Sequence, residues 1–348
     1  MAKINIGTCV PGQGTEQLLP HFIQAGFECV GLNFHMVFTE ESLPAYAEKV
    51  KRLLGDSGVK VSSIGYYCNA LENEAQRKTL EDFIDNAHLF GTNLVTTFAG
   101  ALEGQPVEKA IPRYKEVFGE LAKRAEDKGV KLCIENCPMD GTWNSATCNI
   151  GFNPKAWELM FDAVPSKAIG LEWEPAHQMV QLIDPLPVLE QWIDRVYHLH
   201  GKDCTIHWDR VKKYGVFGAA NFAEPRTPGY GDTDWRDVFH ILYSNNFEGD
   251  LVVEGFHDPI FQGDLEWAGQ LHALQYLKWC RGGTEANPWP PLFSYGGTTR
   301  LSPPRPALSL RESASPPAAG RRPRNYAARG GARVTTSQVS RCSTCSGG

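Results

Sequence analysis

The chain has 348 residues, 42% hydrophobic and 21% charged, a globular balance with length for one large domain or two small ones. Charge is uneven: residues 282–348 hold nine Arg, no Lys and two Glu, a net of +7, which leaves −13 for residues 1–281. An acidic body argues against nucleic acid as the main partner, because phosphate binding needs a basic face, and no stretch has the apolar length of a membrane span.

Short β-rich runs alternate with helical patterns from the first residues, which are expected to enter a strand directly without a signal peptide. Strands are expected at 4–10, 29–34, 59–67, 93–98, 131–136, 168–174, 196–200 and 250–255. The Gly12-Gln13-Gly14 run after the first lacks the third glycine of a dinucleotide-binding fingerprint and reads as a turn. Helices follow at 17–25, on the face of Tyr46, Val50, Leu53 and Leu54 before Gly55, and on that of Leu80, Phe83, Ile84 and Ala87. The clearest period is Tyr114, Val117, Phe118, Leu121, Ala122 and Ala125, ending at Gly129. A later helix is capped within Asp232-Thr233-Asp234 and runs through Trp235, Val238, Phe239 and Leu242; the last spans 265–279. Eight strands alternating with helices over 281 residues predict a (β/α)₈ TIM barrel as one catalytic domain, 1–281. Residues 282–348, rich in Pro, Ser, Gly, Thr and Arg without periodicity, read as a low-complexity, disordered tail. The ten scattered Cys are expected to be reduced thiols in a cytoplasmic protein, and Cys342 and Cys345 have no second pair with which to hold zinc.

A barrel places its active site at the C-terminal ends of the strands. There the fifth strand ends Cys133-Ile134-Glu135-Asn136, the sixth reaches Glu174 with His177 beyond, the seventh ends His198-Leu199-His200 and the eighth reaches Glu254. Glu172 and Glu174 share a strand face, and buried carboxylates need partners or a metal. Three carboxylates and one imidazole form a hard, oxygen-rich set that suits Mn²⁺, Mg²⁺ or Co²⁺, with Zn²⁺ also accepted. His198 and Glu172 are expected behind the ligands; Lys202 and Asp203 read as a local ion pair. His35, Tyr66 and Phe98 end strands two to four and are expected to line the pocket, and the insertion 203–226 to lid it.

The chain resembles the sugar phosphate isomerase/epimerase family, xylose-isomerase-like barrels that include ketose 3-epimerases and inosose dehydratases. The likeness covers about 280 residues, as the strand count does. It rests on Ile134-Glu135-Asn136, on Gly170-Leu171-Glu172-Trp173-Glu174-Pro175-Ala176-His177, on His198-Leu199-His200-Gly201-Lys202-Asp203, on Arg226-Thr227-Pro228-Gly229-Tyr230-Gly231-Asp232-Thr233-Asp234-Trp235 and on Val253-Glu254-Gly255-Phe256-His257-Asp258-Pro259. The resemblance implies metal ligation by Glu135, Glu174, His200 and Glu254, and substrate contacts from His177 and Arg226. One departure stands out: the family's second ligand is usually Asp in Asp-Pro-Ser-His, where this chain has Glu174-Pro175-Ala176-His177. The implied chemistry is proton abstraction beside a carbonyl through a metal-stabilised enediolate, with Glu135 and Glu254 as the acid–base pair. Epimerisation or isomerisation of a keto sugar, sugar phosphate or cyclitol comes first, a lyase or dehydratase using the same site second, and a non-catalytic barrel subunit third. The expected partner is a small-molecule sugar, and a homo-oligomer is compatible with the composition.

Overall fold

The computed structural model describes residues 3–218, 220–255 and 257–282, so the tail expected at 282–348 lies outside the described residues except for Gly282. In chain order the elements are β1 (Ile4–Pro11), α1 (Thr15–Ala25), β2 (Cys29–His35), α2 (Leu43–Leu54), β3 (Lys60–Tyr67), α3 (Glu74–Asn86), β4 (Leu94–Thr97), α4 (Val107–Lys128), β5 (Lys131–Glu135) and α5 (Pro154–Ala163). There follow β6 (Ile169–Trp173), α6 (Ala176–Met179), α7 (Pro185–Trp192), β7 (Val196–Gly201), β8 (Asp203–Ile206), α8 (Trp208–Tyr214), β9 (Ala223–Arg226), α9 (Trp235–Ser244), β10 (Gly249–Val253) and α10 (Glu266–Arg281). The expected strand boundaries hold to within about two residues, the usual scatter of element ends.

Eight parallel strands close in the order β1-β10-β7-β6-β5-β4-β3-β2, so the expected barrel is present. Two further strands, β8 and β9, form a separate antiparallel hairpin within the 203–226 insertion, with Asp203 opposite Arg226. Helix starts follow their caps: Asn73, Asn153 and Asp234 accept from the backbone N–H of Gln76, Ala156 and Arg236 at 3.0 Å each. The Gly12 run is a single 3₁₀ turn, and a Cβ on Gly12 would strike the Phe34 ring, so glycine is required by close approach. Trp157, Trp173, Tyr114, Phe118 and Trp235 are fully buried in the apolar layer between strands and helices. The barrel interior is more polar: Ser63, Thr96, Glu172 and His198 are all completely buried. Among the described residues no helix is long and apolar enough to cross a membrane.

Candidate metal and active site

Parallel strands bring their C-terminal ends to one mouth. Glu135 ends β5, Glu174 lies one residue past β6, His200 lies on β7 and Glu254 lies one residue past β10. His200 Nδ1 lies 3.2 Å from Glu135 Oε1, 3.3 Å from Glu254 Oε2 and 3.6 Å from Glu174 Oε2. Each of the four residues offers a donor atom within 4.8 Å of the others. That is close to the span of two metal–ligand bonds of about 2.0–2.3 Å set back to back.

The donors fit a cation on a second ground. Despite the short distances, Glu174 Oε1 and Oε2, Glu254 Oε2 and His200 Nδ1 are buried without a hydrogen-bond partner of acceptable geometry. Buried polar atoms left in that state are costly, and three of them, Glu174 Oε2, Glu254 Oε2 and His200 Nδ1, lie together where a divalent ion would satisfy them. The backbone beneath is locked by two asparagines. Asn136 donates to Glu174 O at 2.9 Å and accepts from Glu174 N at 2.8 Å, while Asn149 donates to Glu135 O at 2.9 Å.

Glu172 occupies a different layer. Its Oε1 accepts from His198 Nδ1 at 2.7 Å and lies 3.0 Å from His200 Nε2, and its Oε2 accepts from Tyr67 at 2.8 Å. Tyr67 in turn accepts from Thr96 at 2.9 Å, and His198 Nε2 meets Ser62 Oγ at 2.6 Å. Donation from His200 Nε2 to Glu172 leaves Nδ1 facing the carboxylates of the cluster, where the lone pair of the neutral ring would serve a cation held between them. With its oxygens engaged, Glu172 supports His200 from behind and Glu174 takes the place at the cluster.

Burial and the neighbouring charges set the protonation states of the metal-free cluster. Burial pushes the Glu135 carboxyl up to about 7, with the charges of Glu254 and Glu174 adding to it against His200. Burial would also raise Glu172, but His200 and His198 outweigh it and hold the carboxyl down at about 2. Glu254 is likewise driven up by burial, yet Lys202, His200 and His257 bring it well below the usual carboxylate range. Glu174 is lowered because His177 and Lys202 overcome its burial. His200 is raised well above the usual imidazole range, burial being overcome by Glu172.

Two sequence expectations need correction. Tyr66 does not line the pocket: its ring stacks on Phe83 and its hydroxyl donates to Met36 O at 3.0 Å, while Tyr67 faces inward. The β2–β3 register shifts between Val30 and Gly31, pairing them with Val61 and Ser63; this irregularity reverses the inward-facing parity along β3. Lys202 and Asp203 are not a pair: Lys202 Nζ donates to Glu254 Oε1 at 3.0 Å and lies 3.5 Å from His177 Nε2. Asp203 instead accepts from Thr233 N, Cys204 N and Trp235 Nε1.

His177 reaches the cluster, its Nε2 lying 2.7 Å from Glu174 Oε1. His35 stands at the mouth with its ring 6.4 Å from Tyr67 and 5.7 Å from Phe98. Arg226 is turned to another partner, its Nε donating to Asp258 at 3.2 Å. His257 Nε2 approaches Glu254 Oε1 at 3.1 Å. Sequence reasoning missed Asn149, whose reach back to β5 spans 14 positions and carries no motif; the Lys202 contact was legible in principle from strand alternation.

Residues 22–279 match the sequence model of the xylose isomerase-like TIM barrel family. An inosose dehydratase of Clostridium tetani (strain Massachusetts / E88) is 34% identical over 164 residues, 46% of this chain and 51% of that protein, so this match spans about half of the relative. The inosose dehydratase of Clostridium botulinum (strain Alaska E43 / Type E3) is 23% identical over 304 residues, 79% of this chain and 97% of that protein. Among solved structures, the apo 3-keto-D-glucoside 4-epimerase of E. coli superposes with a TM-score of 0.59 at 16% identity, covering 80% of this chain and all of that one, a likeness of fold.

Proposed function

The chain belongs to the xylose isomerase-like TIM barrel family, and from that premise we propose that it is a divalent-metal-dependent dehydratase of keto cyclitols or keto sugars. The observation that carries this reading is the convergence of Glu135, Glu174, His200 and Glu254, with buried oxygens and a nitrogen left unpartnered. These four residues would hold the ion, and Mn²⁺ suits their oxygen-rich set best. A bound ion supplies Lewis acidity, polarising a substrate carbonyl and so acidifying the neighbouring C–H.

Glu135 takes that proton. Burial raises its carboxyl in the metal-free protein, which favours it as the base over Glu254, whose carboxyl is lowered. The same carboxyl then returns the proton to the β-hydroxyl as the C–O bond breaks, so one water leaves and a C=C bond forms with no oxidant and no second base. Glu254 is a poor second base, since Lys202 and His257 both hold it as a carboxylate. Lys202 and His177 stand at the mouth beside Glu254 and Glu174, where they can orient substrate oxygens. The inosose dehydratase relatives support elimination over epimerisation.

Epimerisation stands second, favoured by one observation: Glu135 and Glu254 approach the same His200 nitrogen from separate strands, as two bases around one carbon would. The test is incubation of the Mn²⁺-loaded protein with a panel of keto cyclitols and keto sugars in D₂O, read by mass spectrometry and NMR. Loss of one water with exchange at the acidified carbon supports the dehydratase. Inverted product without dehydration moves the reading to epimerase, and failure to bind metal stoichiometrically overturns both.

A further inference from the structure

The β8–β9 hairpin carries an outward feature that the active site does not use. Its base is packed: Cys204, Ile206 and Ala223 form a small core with Ala176 and Met179 of α6. Its tip is not. Helix α8 has no buried residue, Phe217 is fully exposed, and Trp208, Tyr214 and Val216 are 53%, 52% and 43% exposed. Four large apolar side chains within ten residues, mixed with Arg210, Lys212 and Lys213 against a single acid, Asp209, have the composition of an interface centre.

The opposite chemistry lies across the same mouth. The loops that follow β2, β3, β4 and β5, residues 36–42, 68–73, 98–106 and 136–153, contain Glu40, Glu41, Glu72, Glu103 and Asp140 and no Lys, Arg or His. All but Glu40, which pairs with Lys49, are exposed, and Val37 stands among them at 62% exposure. The topology brings these loops and the hairpin out at one end of the barrel, so this face carries a basic, aromatic projection and an acidic rim. Two copies related by a two-fold axis satisfy both at once, each tip meeting the other's rim.

We propose that the β8–β9 hairpin tip is a dimerisation element, docking through Trp208, Tyr214, Val216 and Phe217 onto the acidic β2–β5 rim of a second copy of this chain. The test is sedimentation velocity of the full chain across micromolar concentrations. Wild type should dimerise, more weakly as salt is raised, because the contact includes charge pairing. Trp208→Ser with Phe217→Ser should raise the dissociation constant at least about tenfold, as loss of aromatic anchors does, with an unchanged circular dichroism spectrum.

Charge reversal gives the sharper arm. The variant Lys212→Glu with Lys213→Glu and the variant Glu41→Lys with Glu72→Lys should each be monomeric alone, since like charges then face each other. Mixed, they should form a heterodimer in which both contacts are again complementary. A wild type that is monomeric throughout, tip variants that dimerise as wild type, or a mixture that restores nothing would each overturn the proposal.

Discussion

Replacing Glu172 by Gln removes a charge from behind the Glu135–Glu174–His200–Glu254 cluster, where Glu172, His198 and His200 themselves form a second close group of donor atoms. The carboxylate faces His198 at 2.7 Å, Tyr67 at 2.8 Å and His200 at 3.0 Å. An amide keeps one acceptor for the imidazoles but turns two charge-assisted bonds into neutral ones, and its NH₂ then meets the Tyr67 hydroxyl, which already accepts from Thr96 and whose own proton loses its acceptor. Weakened bonds and an unsatisfied donor together should lower stability by about 2–4 kcal/mol. Freed from its anchor, the His200 ring loses its fixed orientation and tautomer, and Mn²⁺ affinity should fall about 10–100-fold, the usual worth of a group behind a metal ligand. Isothermal titration with Mn²⁺, beside urea unfolding in chelator, measures both effects. Glu174→Ala removes a donor outright and should weaken binding more. An affinity for Glu172→Gln indistinguishable from wild type, or a loss larger than that of Glu174→Ala, would refute the division of roles between the two glutamates.

Other outcomes follow from the same contacts. Glu135→Gln keeps an oxygen donor and should retain metal while turnover falls about 10²–10⁴-fold, the contribution of a positioned base; Glu254→Gln should weaken metal binding and leave more of the elimination rate, with D₂O exchange by NMR separating the two. Tyr66→Phe should leave metal binding and turnover unchanged, whereas Tyr67→Phe should weaken Mn²⁺ binding measurably by titration, since only the latter meets Glu172. Glu28 accepts from Ile6 N at 2.8 Å and from Arg281 Nη2 at 2.9 Å, and although burial raises its carboxyl, these partners bring it below the usual range. A depressed folded-state pKa contributes stability that is present above the unfolded value of about 4.3 and is lost as pH falls through the folded one. In urea unfolding Glu28→Gln should therefore be less stable than wild type by about 1–2 kcal/mol at neutral pH, and the gap should close in acid; a gap that persists in acid would refute the assignment.

The barrel was legible because parallel strands buried on both faces are short apolar runs, so a carboxylate at the end of one is conspicuous. Glu135, Glu174, His200 and Glu254 stood out in this way. What was not legible depended on parity and distance. Lys202 and Asp203 are adjacent and opposite in charge, which invites a pair, yet successive strand residues face opposite sides. Tyr66 was expected inward because nothing local betrays the irregularity around Ser62 and Ser63 that exchanges it with Tyr67. The hairpin was hidden because its strands are four residues each and one holds Pro225, too little for a periodic signal.

The unpartnered carboxylates at the mouth have a thermodynamic consequence. A folded state that gathers like charges gains free energy whenever a cation is supplied, and the unfolded chain has no such site, so occupancy should register as heat resistance. At a free Mn²⁺ concentration one hundred times the dissociation constant the gain is about 2.7 kcal/mol, enough to raise the melting midpoint of a domain this size by roughly 5–10 °C. The protein thus becomes its own indicator: a simple melt, run across metals and then across sugars in the presence of the best metal, would rank ligands before any product has been identified.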